Sequence, residues 1–412
     1  MEINFRHTKL LLVVMFLMAM TSCSSSDDDD DELYYQTEES DESTSAEEEE
    51  TDDGVDKTTY VDYATLFEGN GSDRWYRIPG IVVTKAGTIL AYCEERTSTS
   101  DQSDMNITCR RSTDNGETWE DAVILADGIS TSHTMNNPVM IADDQGGVHF
   151  LHCIDYGTGD IGGLYYRYSD DDGITWSDEV DLTEYTNPDE WYRIASGPGH
   201  GIQHSNGTLI APIWRTDPEE EESGLGSSPD YYGCATMYSE DYGATWQIGE
   251  VIKSSETVSG PNEPTIAELS DGTLLMNCRT KSQSYRAVTY SNTGYDGWTD
   301  LVLDENLPCP KCYGSILSTG DALLFVNPDS QTARENISVK ISYDDGQSWS
   351  VLKLVQEEVS MGYADLAINA DGLIFVLYES TDSTEEVSSI YSLKLCRFYI
   401  DYVEEYTTGT EE

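Results

Sequence analysis

The chain has 412 residues, with 22 Lys and Arg against 78 Asp and Glu and a formal net charge of −56. Binding a phosphate backbone needs a basic face, so this balance excludes nucleic acid as a partner. Any anionic ligand has to be captured by a local group of arginines against the field of the whole molecule. The 27 tyrosines and the scarcity of helix-period patterning favour many short strands, in one large all-β unit or two domains.

The chain opens on a leader. Arg6 and Lys9 form a basic region, Leu10 to Met20 an apolar stretch too short to span a bilayer, and Thr21 and Ser22 precede Cys23. Residues 1–22 resemble a bacterial lipoprotein signal, which implies that Cys23 is lipidated and becomes the mature N-terminus. Ordinary secretion is the other reading, and either exports the protein. Residues 23–57 are acidic and of low complexity, with Asp27 to Asp31 and Glu47 to Glu50 as unbroken runs. Such a segment cannot bury a core and is expected to be a self-repelling tether. Its Ser-Ser-Ser-Asp-Asp start resembles surface-export tags of Gram-negative lipoproteins, so the expected location is the outer membrane, with surface exposure compatible.

From residue 58 the chain is built on a repeat. Ser112-Thr-Asp114-Asn-Gly116-Glu-Thr118-Trp119 returns at Ser169, Ser239 and Ser342 as Ser-x-Asp-x-Gly-x-Thr/Ser-Trp, and a worn copy starts at Ser291 with Trp298 beyond it. Each copy reads as a hairpin turn: the Asp accepts backbone N–H groups, Gly supplies a positive φ, and Trp plugs the space between sheets. An acid repeated in every unit is a fastener, not a unique catalytic group. The starts lie about 50 to 70 residues apart, which suits four-stranded propeller blades with loops of varied length. Five boxes plus a last blade, made from the C-terminal strand near Tyr391 and an N-terminal strand near Tyr60, predict an all-β six-bladed propeller over 58–412.

Two decoys carry no metal. His149 and His152, offset by three in a strand, point to opposite faces, and neither His149-x-x-His152 nor His200-x-x-x-His204 has the glutamate of a zincin helix. Cys309-Pro-Lys-Cys312 lacks the second ligand pair of a zinc site, so it reads as a local disulfide or two unrelated thiols. No cofactor is expected.

Trp75-Tyr-Arg77-Ile-Pro79 followed by these boxes resembles the sialidases of glycoside hydrolase family 33, and so do Gly197-Pro-Gly-His-Gly-Ile-Gln203 and Met361-Gly-Tyr363-Ala-Asp-Leu366. The resemblance covers essentially the whole body. It implies a retaining exo-α-sialidase acting on sialylated glycoproteins, oligosaccharides and gangliosides; a trans-sialidase or a sialic-acid-binding lectin-like propeller is the alternative. A sugar carboxylate calls for guanidinium groups, whose planar fork binds it bidentately, and the resemblance places Arg77, Arg279 and Arg334 in that role. Tyr363 matches the nucleophile: a neutral phenol escapes the repulsion that a carboxylate would meet at an anomeric carbon already bearing one. With an ordinary pKa of about 10 the phenol needs a base, and Glu263 matches it, with Glu268 the rival. Asp101 matches the acid that protonates the leaving oxygen, with Asp104 the alternative, and Arg96 is expected to line the pocket beside it. Glu379 matches a carboxylate that orients Arg77 from behind. Asn137-Pro138 and Gly199-His200-Gly201 are expected to shape the walls for the sugar's N-acetyl and glycerol arms.

Overall fold

A computed structural model describes residues 55–155, 163–183, 193–216, 231–382 and 389–402. The expected leader, Cys23 and the acidic runs of the expected tether lie outside the described residues. Within them the chain is almost entirely strand and turn, in antiparallel meanders. Three sheets have four strands each, one has five and one has nine, where the sequence predicts six four-stranded blades. Strands Met105–Ser112 and Thr134–Ala142 of the nine-stranded sheet are joined by one parallel residue pair, Met105 with Thr134.

Strand Val61–Phe67 pairs antiparallel with strand Ile390–Tyr399 in the same sheet as Ala364–Ile368 and Leu373–Asp382, so the two ends of the body close one blade together. This is the closure expected from Tyr60 and Tyr391. Strands near the centre are apolar on both faces: Leu209–Thr216 is buried at seven of its eight positions because a neighbouring sheet covers each side. Outer strands such as Val302–Pro308 are largely open to water. Between sheets, Leu151 and Leu164 meet Leu209, Ala211 and Ile213 around Trp246. A fully buried Leu or Ile stabilises by about 1.5–3 kcal/mol, so these seams hold the blades together.

The repeated boxes show why their residues recur. In the first, Asp114 Oδ1 accepts from the Ser112 hydroxyl at 2.8 Å and the Thr118 N–H at 2.9 Å, and Oδ2 from the Thr118 hydroxyl at 2.5 Å. Asp171, Asp241 and Asp344 repeat the pattern. Two successive residues are left-handed in each, such as Asn115 at φ 57° and Gly116 at φ 78°. In two boxes the second position also has no room for a Cβ, which would press on the neighbouring blade: at Gly173 on Leu90, at Gly243 on His149 and Tyr166. The worn copy keeps the Ser291 hydroxyl on the Gly294 N–H at 2.9 Å and lets Asp296 take the Thr293 hydroxyl.

At the other end of the inner strands the ladder breaks. Register shifts fall between Arg77 and Gly80, between Asn136 and Val139, and between Asn262 and Pro264. In each shift a non-glycine residue takes a positive φ directly before proline: Ile78 at 57°, Asn137 at 51° and Glu263 at 40°. Proline offers no N–H to the ladder, and a bulge re-aims the side chain it carries. A left-handed non-glycine residue costs on the order of 1–3 kcal/mol and persists only where its surroundings over-determine it.

Candidate active site

The broken ends of these strands meet around one phenol. Tyr363 is 5% exposed, and its hydroxyl donates to Glu263 Oε1 at 2.6 Å while accepting from Arg279 Nη1 at 3.0 Å. Arg279 Nη1 also donates to Glu263 Oε2 at 2.7 Å. The guanidinium carbons of Arg77 and Arg334 lie 5.3 and 5.5 Å from the Tyr363 ring centre. Three arginines far apart in the chain, two on strands and Arg334 on the turn before strand Ile337–Ser342, therefore surround the nucleophile candidate.

Each is held from behind. Arg77 Nε donates to Glu379 Oε1 at 3.0 Å, and the same carboxylate takes the backbone N–H of Ile78 and of Tyr363, each at 3.0 Å. Glu379 thus fixes an arginine and the phenol at once. Arg279 faces Glu263 because Asn262 pairs with Arg279 across the hairpin. Arg334 donates to the carbonyls of Met361 and Lys311 at 2.6 and 3.2 Å. Gly362, at φ 90°, lets it approach, since a Cβ there would lie 2.9 Å from Arg334 Cδ.

Asp101 sits on the loop after Arg96, its side chain 76% exposed, and takes Arg96 Nη1 at 2.6 Å and Arg77 Nη1 at 3.2 Å. Asp104 is tied by its carbonyl to Thr97. Glu268 lies at the far end of strand Pro261–Glu268, where it accepts the Ser205 N–H at 2.8 Å; what separates it from the phenol is the length of the strand. Asn137 gives its backbone N–H to Glu94 Oε1 at 2.9 Å. His200 is 4% exposed and bonds to Asp365, so it belongs beneath the pocket and not to its wall. His149 bonds to Asp143 and Tyr166, His152 to Glu179. Cys309 and Cys312 are free thiols, not a disulfide, in an apolar cluster with Ile78, Tyr313 and Tyr363.

Glu94 was not singled out by the sequence reading. It is 1% exposed, and its Oε2 accepts from both Arg96 Nε, at 2.8 Å, and Arg96 Nη2. Its position in Glu94-Glu95-Arg96, alternate to the arginine on one strand face, was the available signal.

The charges divide the acids by task. Burial pushes the Glu263 carboxyl up, but Arg279, the Tyr363 hydroxyl and Arg334 outweigh it and hold it below the usual range. Burial and then Glu263 drive the Tyr363 phenol well up, against the three arginines. The arrangement is a protonated phenol aimed at an ionised base. For Asp101 burial again acts upward, and Arg96, Arg77 and Arg334 together carry it below the ordinary value. Burial holds Glu94 above its ordinary value despite Arg96.

Residues 87–376 match the BNR repeat-like domain. The chain is similar to a sialidase of Bacteroides fragilis (strain YCH46), 29% identical over 356 residues that cover 76% of this chain and 61% of that one. An exo-alpha-sialidase of Aspergillus fumigatus is 30% identical over 344 residues, 74% of this chain and 78% of the relative. Among solved structures, the Hadza microbial sialidase Hz136 overlays with a TM-score of 0.68 at 27% identity, covering 79% of this chain and 66% of that one. The chain spans about three fifths of the length of its Bacteroides relative.

Proposed function

We propose that this chain, which belongs to the sialidase family of BNR repeat-like proteins, is a retaining exo-α-sialidase that releases terminal sialic acid from glycoproteins, oligosaccharides and gangliosides. The observation that carries the reading is the 2.6 Å hydrogen bond from Tyr363 to Glu263 inside a ring of three guanidiniums. A lone tyrosine–glutamate pair is common. One placed where a carboxylate-bearing sugar would be clamped is not explained by folding.

Arg77, Arg279 and Arg334 take the substrate carboxylate. The phenolic oxygen of Tyr363 attacks the anomeric carbon as its proton passes to Glu263, the bond to the leaving oxygen breaks, and Asp101 protonates that oxygen. Water then attacks the same carbon, giving its proton to Asp101. The tyrosyl–carbon bond breaks, and Glu263 returns the proton to the phenolate, which Arg279 stabilises meanwhile. Two displacements retain configuration. No metal or cofactor enters the balance. Asp101 has to be protonated to act first, and the free site opposes that. A bound carboxylate supplies the reversal, because it neutralises Arg77 and Arg334 and covers the exposed acid, raising its pKa.

The body is read as six blades by dividing the nine-stranded sheet at its single Met105–Thr134 pair. The five boxes and the shared closing blade support that count. Cys23 is proposed to carry a lipid that anchors the protein in the outer membrane, with residues 23–57 as its tether. The test is a fluorogenic sialoside assay with mass spectrometry of the product and of the enzyme after a 2,3-difluorinated sialic acid. Free sialic acid and a label on Tyr363 are expected. A new sialoside would assign a trans-sialidase, binding without release a lectin, and a label elsewhere would remove the nucleophile.

A further inference from the structure

One layer below Tyr363 lies a carboxylate that the reaction above does not use. Asp365 follows two residues later, in strand Ala364–Ile368, whose pairing continues back to Tyr363 through the Glu379 N–H on the Tyr363 carbonyl; it keeps the alternation that puts both on one face, and it is fully buried. Its Oδ1 accepts from the Ser315 hydroxyl at 2.6 Å and bonds to His200 Nδ1 at 2.8 Å, and its Oδ2 accepts the Ile81 N–H at 2.9 Å. Those partners come from three other inner segments. Ile81 is on the strand that carries Arg77, His200 belongs to the short segment paired with Val139 and Met140, and Ser315 opens strand Ser315–Ser318. Tyr92 extends the tie, donating to the Gly199 carbonyl at 2.7 Å and accepting the Met140 N–H at 3.0 Å.

A carboxylate removed from water and given only neutral donors is costly, whereas a cationic donor compensates it. His200 is the group placed to supply that charge. The groups facing the pair are Ser315 and the hydroxyls of Tyr92 and Tyr313, all neutral near pH 7; Gly199 is packed so closely that a Cβ there would strike the Tyr313 oxygen. Burial opposes a charge on His200, but Asp365 outweighs it and raises its pKa; the ring Nε2 is buried with no hydrogen-bond partner among the described residues.

We propose that Asp365 and His200 form a buried carboxylate–imidazolium pair that positions Tyr363, holding the nucleophile's strand at fixed height against the strand of Arg77. Glu379 ties the same two strands at the level of the phenol, and this pair ties them one layer lower. A strand pinned at two levels cannot rock, and the phenolic oxygen keeps its line to the anomeric carbon. Both are positioning residues.

The kinetic arm of the test rests on the sialidase reading; the spectroscopic arm does not. Wild type, Asp365→Asn and Ser315→Ala are compared on an aryl sialoside, with competent sites counted by 2,3-difluorosialic acid labelling, and the His200 ring is titrated by nitrogen-15 NMR. Asp365→Asn should lower kcat per labelled site by about 10- to 100-fold with KM within about threefold, as expected for a misplaced reacting group. Ser315→Ala should lose about 3- to 10-fold, and it decides the kinetic question if Asp365→Asn does not fold. The wild-type ring should be an imidazolium at pH 7 and neutral only at higher pH. Wild-type kcat per labelled site in the folded variants, loss of labelled sites alone, or a neutral His200 ring at pH 7 would each overturn the proposal. Should the wild type release no sialic acid, the sialidase reading falls and the ring titration still decides the pair.

Discussion

The boxes and the pocket are both organised by carboxylates, at opposite ends of the same blades. Val83 pairs with Ile89 and Ile89 with Ser112, so the first box lies at the opposite end of strand Trp75–Val83 from Arg77. In the boxes each Asp is satisfied by neutral donors no more than four residues away. In the pocket Glu379 holds Arg77 across 302 residues and Glu263 holds Tyr363 across 100. Local satisfaction makes a turn that any blade can reuse. Distant satisfaction makes an arrangement that occurs once, and only the second can be aimed at a substrate.

The largest break in that contrast should come from Tyr363→Phe. Removing the hydroxyl deletes the attacking atom and leaves Glu263 without its proton donor. A loss of about 10³-fold or more in kcat on an aryl sialoside is expected, measured at saturating substrate. Activity within tenfold of wild type would mean that another group attacks.

Asp101→Asn comes next and should depend on the leaving group. A glycan alkoxide needs its proton in the transition state, so a loss of about 10²- to 10⁴-fold is expected there, and a smaller one with an acidic phenol as leaving group. Equal losses on both substrates would remove Asp101 from the acid role. The pH dependence carries a sign as well. Arg96 helps to hold the free Asp101 carboxyl down, so Arg96→Leu should extend the alkaline limb of the kcat profile, because the acid form then survives to higher pH.

Glu94→Gln should act through another residue. One carboxylate oxygen accepts from Arg96 and the other anchors the Asn137 bulge, so its loss should cost about tenfold in kcat/KM without touching labelling of Tyr363. Slower labelling would move Glu94 into the group that supports the phenol.

How much of this was legible divides along the same line. The boxes could be read directly, because every donor and acceptor lies within one eight-residue stretch. Tyr363, Glu263 and the three arginines were found by resemblance, since no rule of spacing joins Arg77 to Glu379. The Ile78-Pro79, Asn137-Pro138 and Glu263-Pro264 bulges are visible as residues but not as a set, because their common register shift exists only once partner strands are laid beside them. Asp365 stands in the Tyr363 motif, where nothing in the sequence gives it a role. Its partners Ile81, His200 and Ser315 are scattered, and burial is what turns four unremarkable residues into a cluster. Cys309 and Cys312 allowed a disulfide by spacing, and the fold keeps both as thiols beneath the phenol.

The smallest catalytic effect should come from breaking a box. Asp114 accepts the Thr118 hydroxyl and N–H and the Ser112 hydroxyl, which together bring its carboxyl down to about 2. A depressed folded-state pKa adds stability above the unfolded-state value of about 4, and that increment is lost as pH falls toward 2. Asp114→Ala should therefore lower the melting temperature by a few degrees at pH 7 and flatten its fall between pH 4 and pH 2, with kcat per folded molecule unchanged. Thermal melts over that range, read beside kinetics at one neutral pH, check both halves. A box variant that folds as wild type does but turns over differently would show that the fastening turn reaches the pocket through the length of its blade, and the separation of the two ends would fail.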